Sequence, residues 1–420
     1  MFIILFLIFF LLLSYHNILY GLSTIIILLP AYLVRFSFFS FPTTLLELMI
    51  ILLFIIFLIK NKKYKKINLK ITNKSFNKIP KAWRYILLSW VLASLIGLAI
   101  NPTFLAIGIW RAYFLEPLIF LIIFIYSINK REDKEIIVKS FLILIFYLFL
   151  VTIYQYFTNW NLPNAYIYPN VHRLTAIFSQ PNMLALLIAP LASFLFVYFL
   201  EVNKKMYYLI ASLLGFIILF FTKSHGALLA VSIALLFYFI FEKSYRKFSI
   251  TICALFILFI FIFTSPIQYF NTFKQQLFSP GIHLQITSTE IRSHLWRNSL
   301  GIIKDNYLLG TGIRSFKNTM NKYHNINWIE IYPHPHNIFL NVWIELGLFG
   351  LIVFLFIIKQ IFISLQEMLR RNNKMFYPLA LSWITILIHS LVDLPYFKND
   401  LSILFFILLG LTILNISNED

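Results

Sequence analysis

Residues 42–59 (PTTLLELMIILLFIIFLI) and 85–99 (YILLSWVLASLIGLA) are two apolar runs separated by KNKKYKKINLKITNKSFNKIPKAWR, residues 60–84. Neither run alternates apolar with polar residues, so each reads as a membrane-crossing helix rather than a strand of a barrel. The segment between them holds ten Lys and Arg and no acid. Short loops of that kind stay on the cytoplasmic side of a membrane.

Working outward, the same apolar pattern recurs at 2–14, 18–35, 113–127, 140–158, 181–200, 207–221, 226–241, 249–266, 337–358, 376–392 and 400–415. The first run is short for a full span and can merge with the second, so the count is 12 or 13. The chain has 420 residues, of which 60% are hydrophobic and only 12% charged, against roughly 25% charged in soluble domains. The fold class is therefore an all-α polytopic membrane protein. The lone Cys253 excludes an internal disulfide. The N-terminus has neither a basic leader nor a small-residue cleavage site, and is expected to be a retained membrane segment.

The formal charge of +19 is an orientation signal before it is a sign of nucleic acid, and no nucleic-acid partner is expected. Threading from 60–84 places 128–139, 201–206, 242–248, 359–375 and the C-terminus in the cytoplasm; the five loops carry 23 of the 35 basic residues. Residues 267–336 then form one large extracytoplasmic insert, long enough to escape the positive-inside rule. Its seven basic and three acidic residues suit an anionic ligand. Three parts follow: an N-terminal bundle over 1–266 with nine or ten helices, the insert 267–336, and the C-terminal helices of 337–420.

The densest chemical signal is Tyr332-Pro-His-Pro-His-Asn337, followed by IFLNVWIELGLFGLIVF. The prolines extend the chain ahead of a helix, and Asn337 suits its N-cap. His336 then sits at the positive end of that helix, which disfavours imidazolium, as a general base requires. The same helix end attracts phosphate oxygens. Asn337, Asn341 and Glu345 form a polar stripe at i, i+4, i+8, with Glu345 expected to be structural. Gly347 and Gly350 are expected to permit close helix packing. Further charges collect at the predicted outer boundary: Arg111 and Glu116, Arg173, Lys223 and His225, and Arg292 beside Trp296. Arg111 is expected to pair with Glu116, Arg35 with Glu47, and His389 with Asp393. No Walker loop, dinucleotide fingerprint, HExxH or outer carboxylate cluster occurs, so neither a cofactor nor a metal is expected.

Three segments together resemble the O-antigen ligase and O-antigen polymerase superfamily. HPHNIFLNVWIELGLFGL (334–351) is similar to its His-x-His-Asn segment followed by Glu-x-Gly-x-x-Gly. RLTAIFSQPNMLA (173–185) is similar to its Arg…Phe-x-x-Pro-Asn segment, and EIRSHLWRNSLGIIKDNYLLGTGIRSF (290–316) to its Arg-x-x-x-Trp…Gly-x-Gly segment. One departure stands out: the family's Ser-Arg-Gly is Ser224-His225-Gly226 here. The resemblance implies metal-independent transfer of a glycan from a polyprenyl diphosphate to a hydroxyl of an acceptor glycan or lipid. The reaction would take place at the outer face of the cytoplasmic (inner) membrane. It implies Arg292 with Arg173 and His225 on the diphosphate, His336 as base, and His334 and Asn337 in the substrate site. Polymerisation of lipid-linked repeat units would use the same chemistry. A flippase for such lipids is the rival class, but would place its charges near the midplane and show related halves.

Overall fold

The computed structural model describes residues 2–38, 41–65, 78–167, 172–242, 288–324 and 330–417. The expected span 249–266, Cys253, residues 66–77 of the loop 60–84, and residues 267–287 and 325–329 of the expected insert lie outside the described residues.

The elements in order are α1 (Phe2–His16), α2 (Ile18–Ile27), a 3-10 turn (Leu29–Leu33), β1 (Arg35–Phe38), β2 (Phe41–Thr44), α3 (Leu45–Lys65), α4 (Lys81–Ile100), α5 (Phe104–Trp110) and α6 (Glu116–Ser127). They continue with α7 (Arg131–Thr158), α8 (Pro181–Glu201), α9 (Met206–Thr222), α10 (His225–Phe241), α11 (Ser288–Asp305), α12 (Phe316–Met320), α13 (Ile338–Arg370), α14 (Phe376–Ser390) and α15 (Asn399–Ser417). Among the described residues, six helical stretches are long and apolar enough to cross a membrane. The chain is an all-α polytopic membrane protein.

Most expected spans are helices. The first two runs stay separate: Asn17 ends α1 and caps α2 by accepting a hydrogen bond from the Leu19 N–H at 2.9 Å. Gly21 lets α2 fold back on α1, since a Cβ there would lie 2.5 Å from Ser14 Oγ. The second expected run, 18–35, is helical only to Ile27. The chain then makes its 3-10 turn and enters a two-stranded antiparallel hairpin in which Arg35 faces Thr44. Helices α5 and α6 are continuous through one π-type turn at Arg111–Leu115. The centre is formed by α8 and α15, whose sides are buried almost all round.

The two ends of the bundle differ. At the basic end, Lys78 reaches Asn129, Lys134 reaches Asn415, and Arg371 donates to the Ile416 carbonyl. This end gathers the turns beside loops 60–84, 128–139, 201–206 and 359–375. At the far end, segments 172–180, 223–225, 288–316, 330–337 and 391–398 meet.

Part of the large insert is built into the bundle. Helix α11 packs with α12 and α13 through Leu295, Ile302, Phe316 and Ile344. The following loop, Tyr307–Ile313, lies against α13 at Gly347. That glycine does not serve helix–helix packing as expected. It breaks α13 with φ 70° and ψ −171°. A Cβ there would meet Leu308 O at 2.3 Å. The loop backbone repairs the break. Leu348 N donates to the Tyr307 and Leu308 carbonyls at 3.1 and 3.0 Å, and Thr311 N donates to the Ile344 carbonyl at 2.6 Å. Ile313 N also donates to the Gly97 carbonyl of α4. Irregular backbone inside a bundle persists when its polar groups are paired in this way. Glu345 is buried within electrostatic reach of Arg314, which fits its structural reading.

Candidate active site

Asn337 caps α13, its side-chain oxygen accepting from the N–H groups of Phe339 and Leu340 at 3.0 and 3.1 Å. Its amide donates to the Leu391 carbonyl at 3.0 Å, tying this helix start to the α14–α15 loop. His336, just ahead, has φ 50°, the left-handed region that non-glycine residues rarely occupy. Neighbouring contacts hold it there: Trp296 Nε1 donates to the Pro335 carbonyl at 3.1 Å, and the Tyr332 ring lies 5.4 Å from the imidazole. Backbone strain of this kind concentrates at functional sites.

His336 Nδ1 lies 3.2 Å from Asp393 Oδ1. The imidazole and the carboxylate side chains are 14% and 7% exposed, so the pair is sheltered but open at one edge. Asp393 also accepts from Leu394 N at 3.0 Å and from Asn182 Nδ2 at 3.4 Å. Burial works against its ionisation. The His336 hydrogen bond and the nearby imidazoles outweigh that and hold the carboxyl below the usual carboxylate range. With an anionic Asp393, the Nδ1–H tautomer is favoured and Nε2 is left as the basic nitrogen. Sequence spacing paired Asp393 with His389; the structure directs its carboxylate at His336, because the chain leaves helical geometry after Ser390. His334 packs edge-on against His336 with centroids 4.7 Å apart. Burial and then the neighbouring His336 push its pKa down to about 3.

Two guanidinium groups approach from other elements. Arg173 Nε donates to the Thr222 carbonyl at 2.9 Å, and its Nη2 donates to Asn182 Oδ1 at 2.9 Å. Arg292 Nε donates to the Val392 carbonyl at 2.9 Å. Each Nε contact fixes the orientation of a planar fork suited to phosphate oxygens. His225 opens α10 within electrostatic reach of both arginines. Gly226 makes that approach possible, because a Cβ there would lie 2.8 Å from Val392 Cγ2 and 3.2 Å from His389 Cδ2.

The structure thus gathers Arg173, His225, Arg292, His334, His336 and Asn337 around residues 391–393. The residues missed from sequence are Asn182, which links Arg173 to Asp393, and Asp393 itself as the partner of His336. Asn182 stood in a quoted motif; Asp393 carried no signal beyond being a carboxylate beside an outer loop. Among the described residues, no three His, Cys, Asp or Glu side chains are grouped to hold a metal.

The other expected pairings are rearranged. Arg111 meets Glu116 at 3.0 Å but also Glu47 at 2.6 Å. Glu47 therefore takes Arg111 rather than Arg35, and it further accepts from Thr43 and from Asn399.

The fold and site define a multi-span helical membrane protein with a histidine–carboxylate pair between two anchored arginines at one of its ends. Residues 210–355 match the family model described as O-Antigen ligase. This bears out the resemblance to the O-antigen ligase and polymerase superfamily over that stretch. The match takes in His225, Arg292, His334, His336 and Asn337, while Arg173 and Asp393 lie outside it. No curated protein matches the chain.

Proposed function

We propose that the protein transfers a glycan from a polyprenyl-diphosphate donor to an acceptor hydroxyl, without a metal, at the outer face of the cytoplasmic membrane. The observation that carries this reading is the convergence of the His336–Asp393 pair with Arg173 and Arg292. In the step envisaged, the acceptor oxygen attacks the anomeric carbon of the donor sugar. The bond from that carbon to the diphosphate oxygen breaks, and its electrons leave with the diphosphate. The acceptor proton passes to His336 Nε2, while Asp393 orients the ring and stabilises the imidazolium that forms. Arg292 and Arg173 bind the departing negative charge, with His225 between them in place of the family's arginine. The diphosphate leaving group supplies the driving force, so ATP is not required.

Deletion of the gene followed by mass spectrometry of lipid-linked glycans tests the reading. Long accumulated lipid-linked chains identify a ligase, and single accumulated repeat units identify a polymerase. An unchanged pool excludes both.

A further inference from the structure

The far end uses its converging cations for the reaction proposed above. The basic end has a convergence of its own that this reaction does not use. A cleft of about 380 Å³ opens there between the start of α7, the end of α8, the α13–α14 turn and the end of α15. This volume falls among those of ordinary small-ligand sites. Its cationic wall is formed by Arg131, Lys134 and Lys374, and its apolar wall by Val138, Tyr198 and Met375.

Lys134 is half-engaged, since its Nζ donates to the Leu414 carbonyl at 3.3 Å and to Asn415 Oδ1 at 3.0 Å. An ammonium group has three protons to donate, so one remains. Arg131 and Lys374 have neither a hydrogen bond nor an ion pair among the described residues, and both are exposed. The one carboxylate in the lining, Glu135, is turned to other partners: Lys139 at 3.3 Å, Lys205 at 3.8 Å and the Tyr208 hydroxyl at 3.4 Å. The cleft therefore presents three cations, and the one acid in its lining is engaged by Lys139, Lys205 and Tyr208 rather than by them. Helices α7 and α14 both begin at this wall, and their N-terminal ends add to its positive field.

We infer that this cleft binds the phosphate headgroup of an anionic membrane lipid, with the phosphodiester among Arg131, Lys134 and Lys374 and the glycerol and upper acyl chain along the apolar wall. The combination of one apolar and one cationic wall at a bundle end fits an amphiphile better than a free anion, and basic pockets between helix ends are suited to such headgroups. The site is independent of the transfer chemistry: it lies beyond the end of α13 (Ile338–Arg370), whose start follows His336. By joining α7, α8, α14 and α15, the lipid would brace the helices that support the Asp393 loop at their other ends.

The test uses the full-length chain purified in detergent micelles, with lipid retention read by native mass spectrometry. Dioleoylphosphatidylglycerol is offered against dioleoylphosphatidylcholine. The wild-type protein is expected to retain the anionic lipid preferentially. Arg131→Gln/Lys374→Gln should lower that retention about tenfold or more, since each charge near a headgroup is worth several-fold in affinity. Both residues are exposed, so the variant should melt as the wild type does in phosphatidylcholine alone. Arg370→Gln, a change at the same end but outside the cleft lining, should retain lipid normally. Equal retention by wild type and the double variant overturns the site. Displacement of the lipid by millimolar inorganic phosphate overturns the lipid assignment in favour of a free anion.

Discussion

Two polar clusters at the far end use the same kinds of residue to opposite effect. Around Arg111, the guanidinium bridges Glu47 and Glu116, and Glu47 also accepts from Thr43, the Thr44 N–H and Asn399. That cluster is closed: its charges answer one another and fasten α3, α6 and α15 together. Around His336, Asp393 answers the imidazole, but Arg173 and Arg292 spend their Nε protons on carbonyls rather than on carboxylates. In that cluster the two guanidinium groups outnumber the one carboxylate, while in the first two carboxylates share one guanidinium. On the function proposed above, the arginine whose partners are acids fastens helices, and the two whose Nε groups rest on backbone oxygens serve the ligand.

If this contrast is right, substitutions in the open cluster remove activity without unfolding, and substitutions in the closed one do the reverse. The largest effect should come from His336→Ala, which is expected to lower turnover about 10²–10⁴-fold, the usual share of a general base, with expression and melting temperature unchanged. Wild-type rates in a reconstituted transfer assay would remove His336 from the chemistry. On the closed side, Arg111→Ala leaves two buried carboxylates without their cation. Its cost should be about 3 kcal/mol, near the lower end for a broken buried pair because Arg111 is 31% exposed. A thermal melt of the purified variant reads this, and an unshifted melt would show that the bridge fastens nothing.

Smaller effects sharpen the comparison. Arg292→Ala should cost about 10–100-fold in activity, the range of a lost charge-assisted hydrogen bond, and Arg292→Lys should recover part of it. Arg297→Ala, at an exposed position on the same helix, should leave the rate alone. Asp393→Asn should lower kcat by at least about tenfold, with ~10⁴-fold as the full loss of a wrongly set tautomer, and with little change in KM, because it acts through the tautomer of His336 rather than on substrate. An increase in KM alone would make Asp393 a binding residue instead. The smallest effect concerns His334. Held neutral down to about pH 3 in the folded protein, it charges near pH ~6.5 in the unfolded chain. As pH falls from ~6.5 towards 3, the unfolded state therefore takes up a proton that the native state refuses, and stability declines. His334→Gln should flatten part of that decline in melts recorded across this range.

The helices were legible because membrane spans are written as uninterrupted apolar runs, and the Asn337 cap because capping is local. That the six expected site residues would lie at one end of the bundle was legible through short motifs that keep His336 next to Asn337 and Arg292 one turn from Trp296. The partner of His336 was not. Asp393 lies 57 residues downstream, and i, i+4 spacing favoured His389 until the helix ended between them. Glu47 was assigned to Arg35 because the two lie close together in sequence, where the apolar runs 18–35 and 42–59 meet, and nothing in the pattern announced that α5 and α6 would deliver Arg111 to the same point. Gly347 looked like a packing glycine because a contact with a loop almost 40 residues earlier leaves no mark on helical periodicity.

That glycine has a consequence for how the chain is made. When α13 enters the bilayer, Ile344 O and Leu348 N have no partner within their own helix, and two unpaired backbone groups in hydrocarbon are costly. The segment that pairs them, Tyr307–Ile313, has already been synthesised and must come back to meet α13. Final assembly of the C-terminal helices is therefore tied to docking of the preceding insert, which delivers Arg292 to the site as it docks. The insert cannot be exchanged as a cassette: shortening Tyr307–Ile313, or replacing Gly310, where a Cβ would lie 2.5 Å from Ile344 O, would leave α13 misassembled before any question of catalysis arose.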